Sequence, residues 1–248
     1  MNLMALTNAN EIVARYFALI PAAGVGSRMG ADCPKQYLFL QGKPVLQHTI
    51  EAFLACDGIE SVFVVVSPED EWLDDFVASS PKWDASRVRF LRCGGNTRRD
   101  SVLNGLHALF LECAPKDWIL VHDAARPGLT PELVRKLIET IGPEDIGGLL
   151  ALPVVDTVKK QSEEGVQTVS REGLWLAQTP QMFPYAYLMD ALEQQSDVTD
   201  EASAIEAMGQ VPKLVEGHLC NSKITKPDDL PLVELFMSID TGIQKKLF

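Results

Sequence analysis

Residues 16–30 read Tyr16-Phe17-Ala18-Leu19-Ile20-Pro21-Ala22-Ala23-Gly24-Val25-Gly26-Ser27-Arg28-Met29-Gly30. An unbroken apolar run, closed by Pro21, passes directly into small residues. Such a run fits a strand covered on both faces, as in a parallel sheet. The alanines and glycines after it leave backbone N–H groups bare enough for a bulky anion to approach. The spacing is not the dinucleotide fingerprint. Gly24 and Gly26 fit its first half, but Met29 holds the third glycine's place and Gly30 comes one residue late. No Gly-Lys-Ser/Thr is present, so it is not a Walker loop either.

Working outward, residues 59–66 form the clearest further strand, β-branched and ended by Ser67-Pro68. Residues 87–92 alternate, 118–122 are a buried run, and 146–152 and 213–216 are weaker strands. Helical spacing covers 44–55, 97–111 and 131–141, then 184–194, 200–208 and a final stretch from about 227. In 97–111 it places Val102, Leu103, Leu106, Leu109 and Phe110 on one face, and Thr130 with Pro131 suits a helix start. Strands alternating with helices predict an α/β fold, a mostly parallel Rossmann-like sheet flanked by helices. Residues 153–178 break the pattern. They alternate Val and Thr with charges around Glu163-Glu164-Gly165, which predicts a projecting β-arm that packs on a second copy of the chain. The expected organisation is one domain over 16–248 that includes this arm, preceded by a tail over 1–15.

Composition narrows the function. The chain has 248 residues, 46% hydrophobic and 23% charged, which excludes general disorder and fibrous repeats. Its net charge of −12 repels nucleic acid and anionic membranes, so a bound nucleotide needs local cations and a metal. No apolar run approaches the roughly 18 residues of a membrane span. The N-terminus lacks a secretory pattern, and a cytoplasmic protein is expected. The five cysteines and four histidines are scattered without Cys-x-x-Cys or His-Glu-x-x-His spacing, so metal binding through them is not expected.

Two cations accompany the glycine-rich turn: Arg28 inside it, and Lys35 in Pro34-Lys35-Gln36. Cations beside a backbone nest suit a triphosphate, although each alone also reads as a solvated surface charge. Gly94-Gly95-Asn96-Thr97-Arg98-Arg99-Asp100-Ser101 follows a strand and opens a helix, which suits a base or ribose as well as a plain capping turn. His122-Asp123-Ala124-Ala125-Arg126-Pro127 follows the buried strand at 118–121. A carboxylate there lies where open α/β sheets bind ligands; Asp123 could hold a divalent cation or a hydroxyl, or pair with Arg126. Thr179, Thr199 in Thr199-Asp200-Glu201 and Lys223 are weaker candidates.

Together PAAGVGSRMG, PKQY, GGNTRRDSV, VHDAARP, GLWLAQTPQMF, TDEASAIE and NSKIT resemble the 2-C-methyl-D-erythritol 4-phosphate cytidylyltransferases over nearly the whole chain. The resemblance implies transfer of a cytidylyl group from CTP to 2-C-methyl-D-erythritol 4-phosphate with magnesium, giving CDP-methylerythritol and pyrophosphate, in a homodimer joined through the 153–178 arm. It implies that Pro21, Ala22, Ala23, Gly24, Gly26, Gly94, Gly95 and Ser101 hold the nucleotide. Asp123, Arg126, Thr157, Arg171, Thr179, Thr199 and Lys223 surround the acceptor, with Arg171 and Lys223 counted beside Arg28 and Lys35 as catalytic and Asp123 as a metal ligand. Asn96 departs from the acidic residue frequent after the paired glycines.

The nearest alternative is a ribitol 5-phosphate cytidylyltransferase, which resembles this family closely. A nicotinamide dehydrogenase is disfavoured by the glycine spacing. A non-catalytic binding protein would have little need for both Arg28 and Lys35.

Overall fold

The computed structural model describes residues 14–24 and 33–247, with side chains of the final helix described to residue 238. The tail over 1–13, and Gly26 and Arg28 of the glycine-rich turn, lie outside the described residues. Strand β1 (Tyr16–Pro21) is an interior strand of a seven-stranded sheet. Parallel to it on one side runs β4 (Ile59–Val65) and then β5 (Val88–Leu91); on the other runs β6 (Trp118–Val121). Beyond β6 lies β10 (Trp175–Pro184), antiparallel to its neighbours, then β7 (Gly148–Pro153) and β11 (Lys213–Glu216). The sheet is thus mostly parallel, as the sequence predicts, with one reversed strand.

The pleat sorts β1 between two cores. Ala18 and Ile20 face α1 (Val45–Leu54) and α4 (Pro131–Thr140), meeting Leu46, Ile50, Phe53, Val134 and Leu137. Phe17 and Leu19 face α3 (Arg98–Ala108), α5 (Tyr185–Gln194) and α6 (Glu201–Ala207), meeting Val102, Leu106, Leu188 and Ile205. Burial on both sides explains why β1 has no polar alternation. On the first face, α2 (Leu73–Ser79) adds Phe76, and α7 (Asp229–Leu247) adds Phe236 at the rim.

Helix starts follow local chemistry. Thr97 and Asp100 form a reciprocal capping box on α3; Asp200 and Ser203 do the same on α6. Thr130 caps α4 with Pro131 in its first turn. The cap of α6 is therefore Asp200, with Thr199 one residue outside. Helix α3 stops at Ala108, and Phe110, expected on its buried face, is 68% exposed. The helical register is lost beyond Ala108, where Leu109 turns back to bond His107 and Leu106.

The arm is narrower than its sequence suggests. A hairpin of β8 (Val158–Ser162) and β9 (Gly165–Val169) pairs only with itself, while residues 175–177 belong to β10 and pair with β7 in the main sheet. A small hairpin, β2 (Phe39–Leu40) with β3 (Lys43–Pro44), precedes α1. Arg15, expected in the tail, is part of the fold: its backbone and guanidinium bind Asp117 at 3.0 and 2.6 Å.

Candidate active site

A cavity of about 480 Å³ opens at the C-terminal ends of the parallel strands, the usual ligand crevice of such sheets. One wall is the segment from Pro21 to Gly24. Ala22 N donates to Val65 O at 2.7 Å, and the buried Gln36 amide donates to Ala22 O at 2.7 Å and Gly24 O at 3.2 Å. Gln36 sits in a 3-10 turn over Lys35–Tyr37, and the Tyr37 hydroxyl donates to Asp70 at 2.8 Å. That turn sets Lys35 at the cavity wall, where Nζ donates to Ile224 O at 3.2 Å.

The facing wall is Gly95, Asn96, Thr97, Arg98 and Ser101. Gly94 lies behind it, against Ala23: a Cβ there would come within 2.3 Å of the Ala23 Cβ. Gly95 N donates to Ser101 Oγ at 3.1 Å, so the Ser101 hydroxyl braces the turn.

The floor is Asp123, held by three cations. Arg98 Nε meets Oδ1 at 2.8 Å; Lys223 Nζ and Arg126 Nε meet Oδ2 at 2.9 and 3.5 Å. Burial pushes this carboxyl's pKa up, but Arg98, Lys223 and Arg126 reverse that and hold it well below the ordinary range. Arg98 also grips the buried Glu201 with two hydrogen bonds, at 2.7 and 3.0 Å. The pairing of Asp123 with Arg126 is thus observed, within a larger cluster of cations at the cavity floor.

Beneath it, His122 is fully buried and its pKa is pushed down to about 3 by that burial. Neutral at ordinary pH, its Nε2 lies 3.2 Å from Arg126 O, which only accepts, so Nε2 carries the proton. Nδ1 therefore accepts from the Thr179 hydroxyl at 2.9 Å, and that hydroxyl accepts from Asp123 N at 3.1 Å.

Of the residues named from sequence, Pro21, Ala22, Ala23, Gly24, Lys35, Gly95, Ser101, Asp123 and Lys223 line one cavity. Arg126 and Thr179 are buried directly behind Asp123. Thr199 is exposed at the entry to α6. Thr157 and Arg171 lie on the exposed arm, where the Arg171 guanidinium donates to Val155 O. Sequence reasoning missed Gln36, Arg98, His122 and Glu201. For Arg98 a signal existed. Two arginines in the first turn of a helix oppose its dipole, which marks an arginine with a carboxylate partner.

Among the described residues no three His, Cys, Asp or Glu side chains converge as a metal cage, and no helix is long and apolar enough to cross a membrane.

The family model for 2-C-methyl-D-erythritol 4-phosphate cytidylyltransferase matches residues 16–239. The enzyme of that name from Azoarcus sp. (strain BH72) is 51% identical over 235 residues, covering 93% of this chain and 98% of the relative. A crystal structure of 4-diphosphocytidyl-2C-methyl-D-erythritol synthase superposes with a TM-score of 0.78 at 40% identity, covering 90% of this chain and 98% of that one. The Francisella tularensis 2-C-methyl-D-erythritol 4-phosphate cytidylyltransferase superposes with 0.74 at 34% identity, over 90% and 100% of the two chains. The α/β sheet, the cavity at its strand ends and these likenesses converge: the chain belongs to the 2-C-methyl-D-erythritol 4-phosphate cytidylyltransferase family, enzymes that transfer a nucleotidyl group.

Proposed function

We propose that this chain transfers a cytidylyl group from CTP to 2-C-methyl-D-erythritol 4-phosphate, giving CDP-methylerythritol and pyrophosphate. The observation that carries the assignment is the single cavity joining the bare backbone of residues 22–24 to the cationic cluster at Asp123. One end suits a nucleotide; the other suits a second, phosphorylated molecule with hydroxyl groups.

An oxygen of the acceptor phosphate attacks the α-phosphorus of CTP, a new P–O bond forms, and the bond to the β-phosphate breaks. The acceptor phosphate is already an anion near pH 7, so no general base is required. The barrier is repulsion between two anions and the charge that grows on the α-phosphate oxygens. Fixed cations and N–H groups oppose both, each contributing about 2.7–4 kcal/mol in the transition state. Lys35, Lys223 and Arg28 supply the cations, the segment after β1 and the Gly95 turn cradle the nucleotide, and Asp123 orients an acceptor hydroxyl. The Thr179 hydroxyl donates its hydrogen bond to His122 Nδ1, so any acceptor hydroxyl that reaches it donates to its oxygen.

Magnesium ordinarily binds through one or two carboxylates with the rest of its shell from phosphates and water, but both oxygens of Asp123 already meet Arg98, Lys223 and Arg126, so among the described residues the cavity offers it no uncommitted carboxylate. When bound it would neutralise phosphate charge. Any magnesium would therefore be held chiefly by the CTP phosphates and water, with Asp123 left to the acceptor.

The working unit we propose is a homodimer. The β8–β9 hairpin pairs only with itself, and Val155, Trp175 and Leu176 at its base are 71%, 38% and 60% exposed. A two-stranded ribbon is marginal alone in water, so a second copy is the natural cover. That would place Arg171 and Thr157 at the partner's cavity.

The test is pyrophosphate release from CTP with each polyol phosphate. Turnover is expected with methylerythritol phosphate and CTP, with ATP, GTP and UTP poorer. Faster turnover with ribitol 5-phosphate would overturn the acceptor and leave the reaction class standing.

A further inference from the structure

Two motif residues have no part in the reaction above: Arg98 of GGNTRRDSV and Glu201 of TDEASAIE. Each occupies a costly position. Arg98 opens α3, where its charge faces the positive end of the helix dipole. Glu201 opens α6 with 1% of its surface exposed, and a buried carboxylate is tolerated only when paired.

One contact answers both. Arg98 Nη1 and Nη2 donate to Glu201 Oε1 and Oε2 at 2.7 and 3.0 Å. The geometry is the bidentate fork, which fixes orientation as well as charge. Its remaining edge points to the cavity floor, where Nε donates to Asp123 Oδ1 at 2.8 Å. Lys223 holds the other oxygen of Asp123, Oδ2, at 2.9 Å. The carboxylate is thus clamped from α3 on one side and from the segment before α7 on the other.

An arginine lining this cavity without Glu201 would behave differently. Its fork would be open beside Lys35 and Lys223, and an open fork binds phosphate bidentately. It would leave Asp123 and take substrate. Glu201 occupies the fork and leaves one N–H for Asp123.

Resting on the reaction assigned above, we infer that Arg98, gripped by Glu201, is a positioning residue: it fixes the Asp123 carboxylate toward the acceptor, while Glu201 keeps its guanidinium off the phosphates. The pair also ties the start of α6, and with it Thr199, to the cavity floor. The acceptor half of the site is therefore assembled through Arg98, whereas the nucleotide half rests on backbone.

The test uses the full chain, steady-state kinetics in both substrates and thermal melts. Glu201→Gln keeps the shape and removes the charge. The double variant Arg98→Met/Glu201→Leu replaces the ion pair with apolar groups of similar size, a change often neutral for stability. In both, KM for methylerythritol phosphate should rise roughly tenfold to a hundredfold, the cost of a slightly misplaced group, while KM for CTP stays near wild type. A merely structural pair would give a stable double variant with both KM values normal. That result, an equal rise in both KM values, or failure of both variants to fold would overturn the role. A wild-type chain inactive with methylerythritol phosphate would overturn the reaction and this role together. Wild-type activity with no split in the variants would overturn the role alone.

Discussion

At the scale of single residues, the two cations singled out beside the glycine-rich turn carry the sharpest expectation. Lys35→Ala and Arg28→Ala should each lower kcat by about 10²–10³, the usual loss of one transition-state donor. The KM for CTP should change less, because backbone donors remain. Single-turnover and steady-state assays of the purified variants check this; near-normal kcat would return either residue to the solvated surface. Arg15 carries a different expectation. Burial pushes the Asp117 carboxyl up, but the hydrogen bonds from the Arg15 side chain and backbone outweigh it, so the carboxyl stays ionised below its ordinary value of 3.8. A depressed carboxyl adds stability that is complete above that value and is lost as pH falls below it. Arg15→Ala should cost about 1 kcal/mol at neutral pH, since the guanidinium is partly exposed and screened. The variant should also lose less stability than wild type between about pH 4 and 2. Chemical denaturation across that range measures both. Arg15 was illegible as a structural residue because its partner lies 102 positions away, and single-chain periodicity carries no such pairing.

At the scale of elements, the strands that are apolar on both faces were readable, and so were helices with capping residues. Among those that were not, two are instructive. Helix α2 has seven residues, too short for helical spacing to stand out. Strand β10 contains Gln178, Thr179, Pro180 and Gln181, of which the sequence places the first at the end of the arm and the others in no element, yet all four are buried. Their polar groups are satisfied by distant partners: Gln178 by His218 O at 3.0 Å, Gln181 by Asp200 at 2.8 Å. A polar strand that pairs its side chains with other segments has no apolar signature to find. The glycine-rich turns were legible for the opposite reason, since small residues announce close approach. Gly128 shows how close: a Cβ there would lie 1.9 Å from Cys220 O, in the 3-10 turn over Leu219–Asn221 that precedes Lys223. Gly128→Ala should therefore destabilise the fold by about 1–3 kcal/mol, the cost of overpacking, and weaken acceptor binding by shifting that turn. Thermal melts and the acceptor KM test it; a variant with wild-type values of both would show that the turn yields freely.

At the scale of the whole molecule, the proposed dimer makes the catalytic site a shared property. Lys35→Ala and Arg171→Ala, each inactive alone, can be co-expressed and the mixed dimers isolated. With Arg171 acting across the interface, a mixed dimer holds one intact site and one doubly damaged site. About half the sites of the isolated mixed dimers should therefore work, or about a quarter of all sites before isolation, since random assembly makes about half the dimers mixed. Activity no higher than that of the single variants in verified mixed dimers would rule out the shared site. The likeness to the family over nearly the full chain made the reaction readable from sequence, but the clamp on Asp123 came from three separate segments and needed the fold. One strand binds these scales together. β10 starts at the foot of the arm with Trp175, passes Thr179 behind Asp123, and reaches α6 through Gln181. From Ala177 to Gln181 four residue steps of β10 span only Ala151 to Leu149 of β7, a bulge pinned by regular pairing on either side. The arm and the acceptor pocket are therefore set apart by a fixed count of residues, not by a flexible distance. Inserting or deleting a single residue between Trp175 and Thr179 would draw the threonine out of line with His122 and Asp123, and the arm could keep its place only by surrendering the pocket.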